Sequence, residues 1–255
     1  MSNLLKIDRL LKKQPGASQK PEMEGLLNYA GYVAEIENVI AVVSDLKKGI
    51  SRIFPGRFGE FLGIGNYIKE NSIWEKAILD LMSENEREEK YLAELRFFNF
   101  LRHTPRHKRP DYYLVSRLRM TAANGDMISV VHRMYYIYAD DRDTIVYALC
   151  LYGRDVFDFA GRSVVVNSIT GVCESLTAAS DALILSRREQ QVLRLIDLGK
   201  SSADIAGMLS ISKNTVSRHR QEIIARLRVK NSVEACRVAK AMKIISLLST
   251  KNGRG

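Results

Sequence analysis

Arg218 and Gln221 stand three residues apart in the stretch Ser212 to Leu227. Each can grip a single base with a pair of hydrogen bonds: a guanidinium matches the two acceptors of guanine, and a carboxamide matches the donor and acceptor of adenine. Val216, Ile223 and Leu227 fall at spacings of seven and four, so in a helix they share the inward face, with His219 on the same stripe and partly packed. Ser217, Arg218, Gln221 and Glu222 then project to the other side. Ser217, Arg218 and Gln221 are the expected base-reading set. Lys213, Thr215, His219, Arg220 and Arg226 flank them as the expected contacts to backbone phosphates. The plainer alternative, a solvated charged face on an ordinary three-helix bundle, has to explain why so few acids lie on it.

Such a face needs a rigid helix aimed by its neighbours, and the surrounding sequence supplies them. Ser186 to Glu189 is a Ser-x-x-Glu capping box ahead of Val192, Leu193, Leu195 and Ile196, and Gly199 stops that helix. A short second helix fits Ser202 to Leu209, with Ile205, Ala206 and Leu209 inward. Ser210-Ile211-Ser212 is a tight turn, and Ser212 is the N-cap of the third helix. Asn231 to Glu234 is another N-cap-plus-Glu pattern, opening a fourth helix through about Ile245. Four capped helices in about sixty residues, with one short turn between the second and third, spell a helix-turn-helix arrangement. Val233, Cys236, Val238, Ala239, Met242 and Ile245 cover more of the fourth helix than one bundle-facing stripe needs. They are the expected dimer interface, the alternative being that all six pack within the chain.

The charge points the same way. The chain has 255 residues, 39 Lys plus Arg against 29 Asp plus Glu, and a formal charge of +10. From Asp181 to Gly255 there are 15 basic residues and 6 acidic ones, whereas the preceding 180 residues carry 24 and 23. The excess belongs to one module, which is the footprint of a polyanion binder. Composition is otherwise that of a globular protein, and no apolar run approaches the roughly 18 residues of a membrane span. Three cysteines, Cys150, Cys173 and Cys236, have no CxxC spacing and no His cluster, which argues against a disulfide framework and a zinc site and for a reducing cytoplasm.

The remaining chain reads as residues 1–22, a basic amphipathic arm and linker; 23–160, an α+β domain; and 161–184, a connector, part of it a connecting helix. The helix-turn-helix domain then spans 185–248 and a tail 249–255. In the α+β domain a helix from Met23 (Leu26, Leu27, Ala30, Val33) leads to strands Val39 to Val43 and Ile50 to Phe54. Helical pieces follow around Phe58 to Leu62. A longer helix from about Ser72 places Trp74, Ala77, Ile78, Leu81 and Met82 on one face and turns the charged tract Glu84 to Lys90 to water. Tyr112 to Thr121, Met127 to Tyr138 and Thr144 to Tyr152 form a three-strand meander, with Asn124-Gly125 marking its first hairpin and Asp140 to Asp143 the second turn. The expected architecture is a sheet with helices packed on one face.

This order of elements, over roughly Tyr32 to Arg154, resembles a PAS-type sensor domain, in which a five-stranded sheet and its helices enclose a pocket. A flavin-binding version would need a reactive Cys beside a helix, and Cys150 falls in a strand. A haem-binding version would need an axial ligand, for which His103, His107 and His132 are the candidates; the first two lie in the basic loop HTPRHKRP and the third on a strand beside Arg133. No cofactor is therefore expected, although a small-molecule ligand stays open. Asp140-Asp141 looks like the acidic pair of a phospho-receiver, but the phosphoacceptor position would fall inside the basic module, so the pair reads as a turn.

The C-terminal segment resembles the LuxR-type (GerE-like) DNA-binding domain. The match is carried by Leu185, Arg188, Glu189, Val192, Leu193, Gly199, Ile205, Ala206, Leu209, Ile211, Ser212, Thr215, Val216, His219, Ile223, Leu227, Val229, Asn231, Glu234 and Ala235. It implies a cytoplasmic transcription regulator that binds double-stranded DNA as a homodimer, with the fourth helix in the dimer contact, base reading at Ser217, Arg218 and Gln221, and RNA polymerase as a further partner. One departure is Arg228, where the family usually has Gly. Two other classes stay open: an enzyme with a basic tethering tail, for which no nucleophile elbow, P-loop, dinucleotide fingerprint or metal-ligand cluster is present, and an adaptor whose N-terminal domain senses nothing. An apolar pocket and a solid core have the same periodicity, so the pattern does not separate sensor from adaptor.

Overall fold

The computed structural model describes residues 3–12, 22–141, 143–156, 159, 161–177, 185–227, 229, 231–242 and 244–245. They fall into two compact units, Met1–Leu176 and Thr177–Gly255.

In chain order the N-terminal unit contains α1 (Asn3–Lys12), α2 (Met23–Ile36), β1 (Ile40–Asp45), β2 (Ile50–Phe54), α3 (Gly56–Phe61), β3 (Lys69–Glu70), α4 (Lys76–Leu79), α5 (Glu84–His103), a 3₁₀ turn (Arg106–Asp111), β4 (Tyr112–Thr121), β5 (Met127–Tyr138), β6 (Ile145–Arg154), β7 (Ser163–Asn167) and β8 (Cys173–Ser175). The strands form one sheet in the order β3-β2-β1-β6-β5-β4-β7-β8, with antiparallel pairing throughout. The central strands β1 and β6 are buried along almost their whole length, and their sequences, IAVVSD and IVYALCLYGR, are nearly continuous apolar runs. Such runs are what a strand covered on both faces requires. Ile40, Val42, Ala148 and Cys150 enter a core with Phe97, Phe98 and Leu101 of α5. Ala41, Val43, Leu149 and Leu151 meet Ala30, Val33 and Ala34 of α2. Helices therefore cover both faces, which corrects the one-face arrangement expected from the element order.

The hairpin signals hold locally. Gly125 takes φ +89, and Asn124 Oδ1 accepts from the Asp126 N–H at 3.1 Å. The Asp141 carboxylate accepts from the N–H groups of Asp143 and Thr144, both at 2.9 Å, and from the Thr144 hydroxyl at 2.8 Å. These bonds hold its pKa below the ordinary carboxylate value, so the acidic pair belongs to a turn.

Four long-range features depart from the sequence reading. The arm expected at the N-terminus contains a helix, α1, docked on the core through buried Ile7 and Leu11. Burial of each is worth about 1.5–3 kcal/mol, and a ten-residue helix is marginal in water without such packing. The single helix expected from Ser72 is two, α4 and the 20-residue α5, capped by Ser83, whose hydroxyl accepts from the Glu86 N–H. The tract expected to face water instead buries Glu86 and Lys90. Glu86 takes Arg119, its Oε1 3.1 Å from Nε, together with Arg162. Finally, Ser163–Asn167 and Cys173–Ser175, expected as connector, extend the sheet through β7 and β8.

The C-terminal unit contains α6 (Arg187–Asp197), α7 (Ser202–Leu209), α8 (Lys213–Leu227) and α9 (Ser232–Ala241). Its core gathers Val192, Leu193, Ile205, Val216, Ile223, Leu227 and Ala235 from the predicted stripes of α6, α7 and α8 and from α9, while Leu195, Ile196 and Leu209 are only half-buried. The fourth helix ends at Ala241, with Met242 as its cap, earlier than the expected Ile245.

Candidate nucleic-acid interface

The presentation of α8 depends on how the helices before and after it begin and end. Ser186 and Glu189 form a reciprocal capping box, with Ser186 Oγ accepting from the Glu189 N–H and Glu189 Oε2 accepting from the Ser186 N–H at 2.6 Å. Gly199 has φ +74, the left-handed backbone that ends α6 at little cost for glycine. A second reciprocal box joins Ser201 and Asp204 at the start of α7. Its Ser-x-x-Asp spacing is the signal in the sequence, with Asp in place of the Glu of the first box. The carboxylate of Asp204, bonded by the Ser201 hydroxyl and N–H, sits below its usual pKa.

Between α7 and α8 lie three residues, 210–212. Ser210 closes α7 in the left-handed region, φ 52 and ψ 48. A non-glycine residue there costs about 1–2 kcal/mol of backbone energy, and the conformation folds the chain back so that the Ile211 N–H reaches Ala206 O at 3.0 Å. Ser212 Oγ then accepts from the Thr215 N–H at 3.0 Å, which caps α8 as expected. Ser217, Arg218 and Gln221 are all exposed on α8, opposite buried Val216, Ile223 and Leu227. Lys213 is exposed in the first turn, where the unpaired N–H groups of the helix also favour an anion. Thr215, half-buried, shares its hydroxyl with Ser212 at 2.9 Å. Arg218 Nε lies 3.3 Å from Glu222 Oε1 one turn on, an exposed pair of little intrinsic strength.

Three of the residues expected at phosphates have partners within the protein. Arg220 donates from Nη1 to Ser202 Oγ at 3.0 Å and from Nε to Ser232 Oγ at 3.3 Å, which ties α8 to the starts of α7 and α9. Arg226 Nε sits 2.9 Å from Glu189 Oε1, whose side chain is only 2% exposed. A buried carboxylate is costly without a cation, so Arg226 has a structural partner that the period of α8 does not reveal. His219 is 13% exposed, with Nδ1 3.4 Å from Glu222 Oε2. Arg228, the departure at the family's glycine position, lies outside the described residues.

The residues expected at a dimer face separate as well. Val233 is 60% exposed, whereas Cys236, Val238, Ala239, Met242 and Ile245 are buried within the chain. The excess of apolar positions on α9 thus belongs mostly to internal packing, as the alternative reading had it. Cys236 Sγ lies 3.7 Å from Leu193 O, and burial raises its thiol pKa to about 11, so it stays an unreactive thiol. Lys240 Nζ pairs with Asp197 Oδ1 at 2.6 Å and fixes α9 to α6.

Residues 183–239 match the luxR family of bacterial regulatory proteins, the GerE domain. This segment therefore carries a LuxR-type helix-turn-helix domain. The chain is 46% identical over 55 residues to the transcriptional regulatory protein YvfU of Bacillus subtilis (strain 168), covering 22% of this chain and 28% of that protein. It is 34% identical over 71 residues to the transcriptional activator protein EsaR of Pantoea stewartii subsp. stewartii, covering 28% of each. A third relative, the response regulatory protein YgeK of Escherichia coli (strain K12), is 33% identical over 76 residues, 29% of this chain and 52% of that one. The chain thus spans between about a quarter and a half of the length of these relatives. Among solved structures, a phage VqmA–DPO complex aligns over 89% of both chains at 18% identity, with a TM-score of 0.31.

Proposed function

We propose that this chain is a transcription regulator that reads double-stranded DNA by laying α8 in the major groove. The observation that carries the reading is the joint exposure of Ser217, Arg218 and Gln221 on one face of a capped helix whose opposite face is fixed in the core. Arg218 and Gln221 read bases, Ser217 fits between them, and Lys213 and Thr215 hold phosphate at the helix start. The regulator works as a homodimer on paired half-sites about one helical turn apart, with exposed Val233 as the α9 residue that reaches the partner. The N-terminal unit, an antiparallel sheet with helices, is read as a PAS-like sensory half that biases DNA binding. The match of the C-terminal segment to the luxR family and the surplus of basic residues in that segment support this reading.

The test is selection of bound sequences from a random duplex pool by the full chain. An enriched motif, with affinity falling steeply as salt rises through counterion release, is the expected result. No enrichment together with salt-indifferent binding overturns the reading. Val233→Glu tests the dimer, and should weaken binding to paired half-sites while leaving single half-site binding unchanged.

A further inference from the structure

Three arginines of the N-terminal unit converge on one surface groove. β7 pairs with β4 only over Tyr112–Ser116; past that point the buried Glu86 carboxylate, from the start of α5, accepts from the Arg119 N–H at 3.2 Å. It also accepts from two guanidiniums, Arg119 Nε at 3.1 Å and Arg162 Nη2. Arg117 Nε donates to Asp155 Oδ2 at 2.5 Å, and the Ser129 hydroxyl donates to the same oxygen at 2.8 Å. The Arg117 guanidinium lies 4.5 Å from the centroid of the Phe159 ring. Arg117, Arg119, Ser129, Arg162 and exposed Met127 line a groove of about 250 Å³. A buried carboxylate needs one cation, and Glu86 has two. The two acids are recessed, with side chains 5% and 14% exposed, whereas Arg119 and Arg162 are 66% and 48% exposed, so a guest arriving from water meets cations first.

We propose that this groove binds a phosphodiester, the singly charged group shared by a cyclic nucleotide and a nucleic-acid backbone. The charge fits: three guanidiniums stand against two carboxylates, which leaves one positive charge for the guest. The geometry fits as well. A planar carboxylate is served by one guanidinium fork, whereas the two free oxygens of a phosphodiester point apart and can take forks from the Arg117 side and from the Arg119 and Arg162 side together. Because the recessed acids already hold the guanidiniums in place, binding orders few side chains. Met127 gives the attached sugar an apolar contact at the rim. The groove belongs to β4, β5 and the residue before β7 and does not involve α8, so it goes beyond the base-reading surface proposed above.

The Met127 methyl group reports on the groove in a full-length sample with ¹³C-labelled methionine methyls, its resonance being assigned by its loss in Met127→Leu. Cyclic AMP should shift it saturably, while adenosine, which lacks the phosphodiester, and benzoate, a planar anion, should not. Arg162→Gln keeps Arg119 on Glu86 and should weaken cyclic AMP binding by at least about tenfold; Arg162→Lys, which keeps the charge and loses the fork, should weaken it several-fold. Arg218→Ala should leave the shift unchanged. A duplex of scrambled sequence, titrated in parallel, separates the two sources: whichever half-saturates the Met127 shift at the lower concentration is the one the groove serves. The proposal is overturned by the absence of a saturable shift with both cyclic AMP and duplex, by equal shifts with adenosine or benzoate, or by unchanged affinity in Arg162→Gln. A DNA motif selected by the full chain in spite of such a failure leaves the reading of α8 standing, and a Met127 shift without a selected motif leaves the groove standing.

Discussion

The two units treat charge in opposite ways. The N-terminal unit, nearly neutral by sequence, buries Asp45, Glu75, Glu86, Lys90, Glu94, Arg96 and Arg109, whereas the described C-terminal residues bury one charged side chain, Glu189. Where cations and anions are balanced, each buried charge can find an opposite one, as Lys90 finds Glu94 and Arg109 finds Asp143. The C-terminal unit has 15 basic residues and 6 acidic ones, so its acids are too few to neutralise its cations from within. A surplus that cannot be paired inside is left available for a polyanion outside. The lesson is that charge balance, more than charge number, decides whether a unit uses ionic groups to build its interior or to meet a partner.

The sharpest way to break this comparison is to unbalance the interior. Lys90→Met leaves Glu94 buried without its cation and should cost about 3–5 kcal/mol of N-terminal stability, with most of that recovered in the double variant with Glu94→Gln. Urea unfolding followed at Trp74 measures it; a single-variant cost under about 1 kcal/mol contradicts the buried pair.

The exterior can be broken in a graded way. Arg218→Ala should weaken DNA binding by about 1–3 kcal/mol and relax preference at particular base pairs, and Lys213→Ala should weaken all sequences alike while lowering the salt slope by about one. Arg220→Ala loses two internal hydrogen bonds and should lower folding stability by about 1–2 kcal/mol with sequence preference retained. A relaxed motif from Arg220→Ala would make it a reader and not a tether.

A third test uses protons. His132 is fully buried, stacked on Tyr152 with centroids 4.6 Å apart, and burial followed by the Lys90 charge holds its pKa well below 6.5. The unfolded chain therefore binds the proton more readily than the folded one. The stability this contributes is present above about pH 6.5 and is lost as pH falls toward the folded value, at up to about 1.4 kcal/mol per pH unit. His132→Phe, which keeps the stack, should show a flatter stability profile between pH 7 and 5; parallel profiles would place the titration elsewhere. The smallest effect is local: Ser186→Ala removes one half of a capping box and should cost about 1 kcal/mol in C-terminal stability, without altering the selected DNA motif.

Which parts were legible follows from how far apart the interacting residues lie. The caps of α6 and α8, the stop at Gly199, the apolar stripes and the hairpin at Asn124-Gly125 are settled within a few residues, so the sequence predicts them. The bounds of β2, β4, β5 and α7 also agree with the pattern. Glu86 and Lys90 of α5 depart from the solvated face the sequence predicts, because a run of Glu, Arg and Lys reports solvation only when no opposite charge waits in the core.

By itself the amino-acid sequence determined the charge asymmetry, the helix-turn-helix punctuation and the inward stripe of α8, all properties of composition or of short repeats. Only the tertiary structure decided which cations of α8 have protein partners, because Arg226 meets Glu189 and Arg220 meets Ser202 and Ser232, partners that period cannot place. It likewise decided that α1 docks through a Trp74 to Asp8 bond spanning 66 residues, and that the apolar residues of α9 mostly serve its own core. Periodicity states that a residue faces away from water, and folding in three dimensions selects what it faces.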